Sequence, residues 1–450
     1  MGFLGVLGEE GSVDRFSLFR FSLFNIRIAR YVLTCPDSKI EYWIPIIHNQ
    51  ILKIRTSDID IKMNFKKLNT SPTQSLRNEG YDWLLGENTI PYITDEMIEV
   101  SEKEAKNYYE AANHLYEMFI EAAQHVIDNE QFAALGIPEN LIELVKYSWE
   151  NDKNWHLYGR FDLSGGLDGK PIKLIEFNAD TATCIPETAT IQWASLKANG
   201  LDESAQFNTL FESLVSQFQE LKKQNPTFEP SLLISTMEGN PEDDTNMQLL
   251  GEAAEEAGFE VTFEYIENVE FSVEQGIFQQ NEDGSFTKYD YWFKLVPWEY
   301  IGWDEPELAK ILTDIVKSKK ALVMNPVYTL LFQSKGILKT LWDLFPNHPL
   351  LLETDNQQLV NKSCVVKVLF GREGANVKIL SSVGITLENT EGEYREQRVI
   401  YQEYTEFLKD DLGKYYQAGV FFAGEGAGLG FRCGGKIINN KAQFCGHLVG

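Results

Sequence analysis

Cysteine is scarce in this 450-residue chain: Cys35, Cys184, Cys364, Cys433 and Cys445, an odd number with no CxxC pair. That excludes a disulfide framework and a zinc ribbon, and a reducing cytoplasm is the simplest setting. Histidine is also rare, six residues with no HExxH or HxH spacing. Any metal is therefore expected to be oxygen-bound Mg²⁺ and not zinc. No run of about 18 apolar residues occurs, which excludes a membrane-spanning helix. Basic residues are the minority, 40 Lys and Arg against 67 Asp and Glu, for a net charge of −27. Such a surface repels nucleic acid and anionic membrane and favours cationic partners. What is present, 43% hydrophobic and 24% charged residues, is an ordinary globular mixture, long enough for two to four structural units.

Residues 1–62 differ from the rest. They carry eight basic and seven acidic residues, so nearly all the negative charge lies downstream. Met63 opens a stretch that matches everything after it. Residues 1–62 are expected to be an N-terminal extension outside the fold, and 63–450 the functional domain. A chain begun at Met63 should stay soluble and keep any activity; insoluble expression would count against this division.

From Ser101 the pattern is helical. Ser101 and Glu104 form a capping box, and apolar residues recur from Ala105 to Val126 at helical spacing. A second helix follows Pro138. Strand-like runs at 157–163 and 170–178 flank a turn-rich segment. Helices are expected at 185–197 and 206–222. A strand–helix–strand unit spans 231–265, its helix beginning at Thr245. Another helix covers 305–318, and the chain after Pro349 is β-rich and glycine-rich. Strands alternating with helices, then an antiparallel region, indicate an α/β and α+β fold class.

Several residues suit phosphate and metal chemistry. Arg160 and Asp162 share one strand face, as do Glu176 and Asn178. Asp162, Glu176 and Asn178 are hard oxygen donors suited to Mg²⁺, and Arg160 suits a phosphoryl or carboxylate oxygen. An exposed hairpin with a solvated face would read the same. A symmetric tight hairpin would also set Asp162 near position 172, about 13 Å from Glu176. Gly371-Arg372-Glu373-Gly374 lies between two strands without the GK[ST] of a Walker loop; it is either a nucleotide lid or a mobile turn. Lys335 and Lys367 stand where their charges reach phosphate. Gln402, Glu403 and Tyr404 close a strand and offer adenine donors and acceptors. The GxGxGxG run from Gly424 to Gly430, leading to Arg432, lacks a dinucleotide-binding context and reads as a flexible loop. Glu242 and Asp243 stand near a helix start capped by Thr245, where acids stabilise the helix or line a pocket for an ammonium group.

The motifs YGRFDL, LIEFNADTAT, FKLVPWEY, QSKGILKTLWDLFPNHPLL, VVKVLFGREGAN, IYQEY and AGLGFR, in this order, resemble the synthetase domain of the glutathionylspermidine synthase family. The resemblance covers about residues 65–450. It implies an ATP-grasp fold similar to glutathione synthetase, with a β-rich glycine-loop lid over ATP and Mg²⁺. It also implies an ATP-dependent carboxylate–amine ligase making an amide through an acyl phosphate. Asp162, Glu176 and Asn178 would hold Mg²⁺. Arg160, Lys335, Lys367, Gly371, Gly374, Gln402, Glu403 and Tyr404 would hold ATP. Arg160, Arg372 and Arg432 would be catalytic, with Thr181 by the carboxylate substrate and Glu242 and Asp243 by the amine. Its partners would be small molecules, a glycyl or peptide carboxylate and a polyamine-like amine. Three departures stand out. Val368 replaces a usual proline, and Cys184-Ile185-Pro186 differ from the family's pattern. The amidase domain of bifunctional members has no counterpart, so amide hydrolysis is not expected. A non-catalytic binding protein and a carboxylate kinase without amine transfer are the competing readings.

Overall fold

The computed structural model describes residues 63–71, 73, 76, 81, 91–151, 156–394 and 396–450. The expected extension, residues 1–62, lies outside them. The described residues form a mixed α/β structure, organised by the helix Glu102–Asp128. Ser101 Oγ accepts from the Glu104 N–H, and Glu104 returns the bond to the Ser101 N–H at 3.0 Å, so the capping box is complete. The helix buries Ala105, Tyr108, Ala112, Leu115, Phe119, Ala122 and Val126. Burying a large apolar side chain contributes about 1.5–3 kcal/mol, so this stripe is what fixes the helix to the core.

Three sheets build the site. The largest is antiparallel, with strands in the order Gln443–Cys445, Gly426–Gly434, Tyr415–Phe422, Gly159–Ser164 and Lys173–Asn178. A parallel sheet follows the order Leu322–Met324, Tyr291–Lys294, Ser231–Ser235, Glu260–Phe263. The strands Leu322–Met324, Tyr291–Lys294 and Ser231–Ser235 are largely apolar and buried, as expected where both faces are covered, while the edge strand Glu260–Phe263 is largely open to solvent. An antiparallel sheet of Thr354–Asp355, Val399–Glu403, Cys364–Val368, Lys378–Leu380 and Thr386–Asn389 carries the glycine loop.

Two expectations need correction. The helix after Ser231–Ser235 runs over Pro241–Glu256, not from Thr245. Asn240 is its cap, accepting from the N–H groups of Glu242 and Asp243, while proline at the first position fits the helix start. Thr245 instead returns its hydroxyl to the Pro241 and Glu242 carbonyls. The GxGxGxG run is no flexible loop. From Gly426 onward it is a buried strand in the largest sheet.

Candidate functional site

The hairpin Gly159–Ser164/Lys173–Asn178 resolves the register question. Asp162 lies directly opposite Glu176, and Arg160 opposite Asn178. The loop between the strands is long, and a bulge follows Asp162, so the 13 Å offset of a tight hairpin does not arise. Phe161 and Phe177 stack at 3.9 Å on the core face. The alternation of a strand therefore turns Arg160, Asp162, Glu176 and Asn178 together to the other face, where they line a cavity of about 330 Å³. Arg160 Nε donates to Asp162 Oδ1 at 2.8 Å, and Asn178 donates to Asp162 Oδ2 at 3.1 Å. Gly419, on the neighbouring strand, leaves room for this side chain: a Cβ would sit 3.0 Å from Arg160 Cδ and press on it.

Two buried lysines face Glu176. Lys335 Nζ is 3.4 Å and Lys367 Nζ 3.8 Å from Glu176 Oε2. Burial pushes the Glu176 carboxyl up, but the two lysines outweigh it and hold it below the usual range. Burial also depresses Lys367, to about 8, with Glu176 opposing the fall. Lys335 donates to the Gly371 carbonyl at 2.6 Å and so ties down the glycine loop. Gly374, at φ +67°, brings the loop so close to Ile438 that a Cβ would lie 2.4 Å from its carbonyl oxygen. Arg372 spans out from this loop to Thr181 Oγ1 at 2.7 Å. Arg432 lines the same cavity and donates to the Asn439 carbonyl at 2.8 Å.

The adenine-edge expectation changes in detail. Gln402, Glu403 and Tyr404 line the cavity. The N–H groups of Glu403 and Tyr404, however, are spent on the Glu353 and Ser363 carbonyls. The Gln402 side chain bridges Lys367 and the Leu174 carbonyl. These residues therefore shape the edge and position Lys367, and offer few free donors. At the opposite side Asp243 reaches the cavity from the helix start. Burial and the nearby Glu187 charge push Glu242 up to about 7; burial and Asp244 push Asp243 up to about 6. Asp244 turns away, accepting from Thr236 and Tyr265.

The family model described as glutathionylspermidine synthase preATP-grasp matches residues 63–450. The chain belongs to this family. A provisionally named acid–amine ligase of Haemophilus influenzae is 30% identical over 389 residues, covering 83% of this chain and 95% of that protein. The bifunctional glutathionylspermidine synthetase/amidase of Escherichia coli is 26% identical, covering 88% of this chain and 65% of that protein. Among solved structures, a glutathione synthetase-like effector of Globodera pallida aligns over 85% of this chain and 98% of its own. Its TM-score is 0.48 and its sequence identity 10%.

Glutathionylspermidine synthase family membership implies ATP and Mg²⁺. Among the described residues no group of three or more His, Cys, Asp or Glu side chains is placed to hold a metal. Mg²⁺ commonly takes one or two carboxylates and completes its shell with water and substrate phosphates. Asp162 and Glu176 are two such carboxylates on one face, with Asn178 adding an amide.

Other residues that frame the site were given no role by the sequence, although Asp180, Lys294, Trp298 and Gln333 stand in the matched motifs. Asn325 donates to the carbonyls of Tyr158, Ala179 and Asp180, and Gln333 accepts from the Ala179 and Asp180 N–H groups. Together they fix the turn that presents Thr181. Asp180 pairs with Lys294 at 3.2 Å, both fully buried, and accepts from the Trp298 N–H at 2.9 Å. These partners stand more than a hundred residues apart, beyond the reach of any local pattern.

Proposed function

We propose that the chain is an ATP-dependent carboxylate–amine ligase that joins a glycyl or peptide carboxylate to a polyamine-like amine through an acyl phosphate. The observation that carries this reading is the convergence in one cavity of Asp162, Glu176, two buried lysines, three arginines and Thr181. Lys335, Lys367, Gly371 and Gly374 hold the nucleotide phosphates, and Gln402 to Tyr404 border the base. Asp162, Glu176 and Asn178 would hold Mg²⁺, which when bound neutralises charge on phosphoryl oxygens.

In the first step a substrate carboxylate oxygen attacks the γ-phosphorus, and ADP leaves. Arg372 beside Thr181, with Arg160 and Arg432, neutralises the carboxylate and the transferring phosphoryl oxygens. In the second step the amine nitrogen attacks the acyl carbon, phosphate leaves and the nitrogen loses a proton. Glu242 and Asp243 hold a distal ammonium, leaving the reacting nitrogen neutral. The glycine loop keeps water from the acyl phosphate.

Hydroxylamine tests the intermediate. With ATP, Mg²⁺ and the carboxylate substrate but no amine, a hydroxamate should accumulate in step with ADP. ADP release without hydroxamate would overturn the acyl phosphate. The depressed Lys367 adds a pH test. Its charge on the free enzyme is lost as pH rises through about 8, so kcat/KM for ATP should fall there. Lys367→Arg should move that fall upward; an unchanged profile would remove Lys367 from phosphate binding.

A further inference from the structure

Arg372 is gripped from behind by a residue of the FKLVPWEY motif to which the sequence alone assigns no role. Glu299 is the second residue of the helix Trp298–Asp304 and is fully buried. Its Oε1 accepts from Arg372 Nη2 at 2.6 Å, while Arg372 Nη1 reaches Thr181 Oγ1. The guanidinium carbon also lies 5.9 Å from the Tyr300 ring centroid. The Tyr300 hydroxyl meets that of Tyr394 at 2.8 Å. The helix start is itself immobilised, because the Trp298 N–H donates to Asp180, which pairs with the buried Lys294. One fixed carboxylate therefore bridges the parallel-sheet side of the site to the glycine loop. The grip is one-sided: Glu299 Oε2 and Arg372 Nε are both buried without a hydrogen-bond partner.

We propose that Glu299 is the positioning residue for Arg372, holding the glycine loop closed over Thr181 before any ligand arrives. A lysine in place of Arg372 would serve less well, since its single nitrogen lacks the rigid fork by which Nη1 and Nη2 reach Thr181 and Glu299 at once. Because Glu299 acts through Arg372, its loss lowers the rate of the chemical step and leaves nucleotide affinity nearly unchanged. The rate part of this rests on the ligase reading; the loop part does not.

The test has two arms. In the first, hydrogen exchange is followed at the amides of residues 371–377 in the ligand-free protein. Glu299→Gln should speed exchange there about tenfold, without speeding it in Glu102–Asp128. Unchanged loop exchange would overturn the proposal. In the second arm, Glu299→Gln should lower kcat about tenfold with KM for ATP within about twofold. The double variant Glu299→Gln/Arg372→Met should be no slower than Arg372→Met alone, the non-additivity of a residue acting through its neighbour. Multiplying effects would overturn the proposal. If Glu299→Gln fails to fold, Arg372→Lys replaces it in the exchange arm: faster loop exchange supports the grip and unchanged exchange refutes it. If no carboxylate and amine pair is turned over, the ligase reading fails by itself and the exchange arm still decides the role of Glu299.

Discussion

Glu176→Gln should lower the rate of amide formation about a thousandfold, the upper range for losing one preorganised electrostatic group. The substitution keeps the shape but removes a charge that faces Asp162 across the hairpin and two lysines within 4 Å. The ligand-free melting temperature should also fall. Glu176 compensates two buried lysines, and leaving them with less opposing charge costs on the order of 1–2 kcal/mol for a group partly open to the cavity. In a chain of this size that amounts to a few degrees. The sign of the pH dependence follows from the depressed Glu176 carboxyl. Its stabilisation is present above the unfolded pKa and is lost as pH falls through the folded one. The melting-temperature gap between wild type and variant should therefore close in acid. Full turnover in Glu176→Gln at a temperature where it is folded would remove Glu176 from the site.

Glu242→Gln combined with Asp243→Asn should weaken binding of a polyamine such as spermidine by about thirtyfold or more near pH 8, with ATP binding little changed. Two partly buried carboxylates near an ammonium each contribute on the order of 1 kcal/mol or more. The raised values of Glu242, about 7, and Asp243, about 6, set a further signature. Both carboxyls gain charge as pH rises through about 6 and 7, so wild-type polyamine Kd should tighten from pH 5.5 to 7.5. The double variant should be flat over that range. Equal and pH-independent binding by both proteins would place the amine elsewhere.

Local chemistry made much of this molecule readable. The capping box at Ser101, the helical stripe behind it and the alternation of Arg160, Asp162, Glu176 and Asn178 all follow from rules spanning a few residues. The hairpin register was out of reach because it depends on the conformation of a long loop and on a bulge after Asp162. The helix at Pro241 started four residues earlier than expected because Asn240, not Thr245, supplies the capping oxygen. The glycines from Gly424 onward suggested a loop, yet close packing by neighbours such as Thr188 and Phe444 explains small residues in a buried strand equally well. The roles of Asn325, Asp180, Lys294 and Glu299, the last three inside matched motifs, were out of reach for a different reason. Their partners are distant in sequence, and only the folded chain brings them together.

The most direct test of the ligase assignment is ADP release from ATP and Mg²⁺ with a panel of peptides and polyamines, offered singly and in pairs, with products weighed by mass spectrometry. Sustained ADP release should require one carboxylate and one amine together, with an amide formed in equal amount. ADP release that needs the carboxylate alone and yields no amide, or nucleotide binding without turnover for any pair, would contradict it.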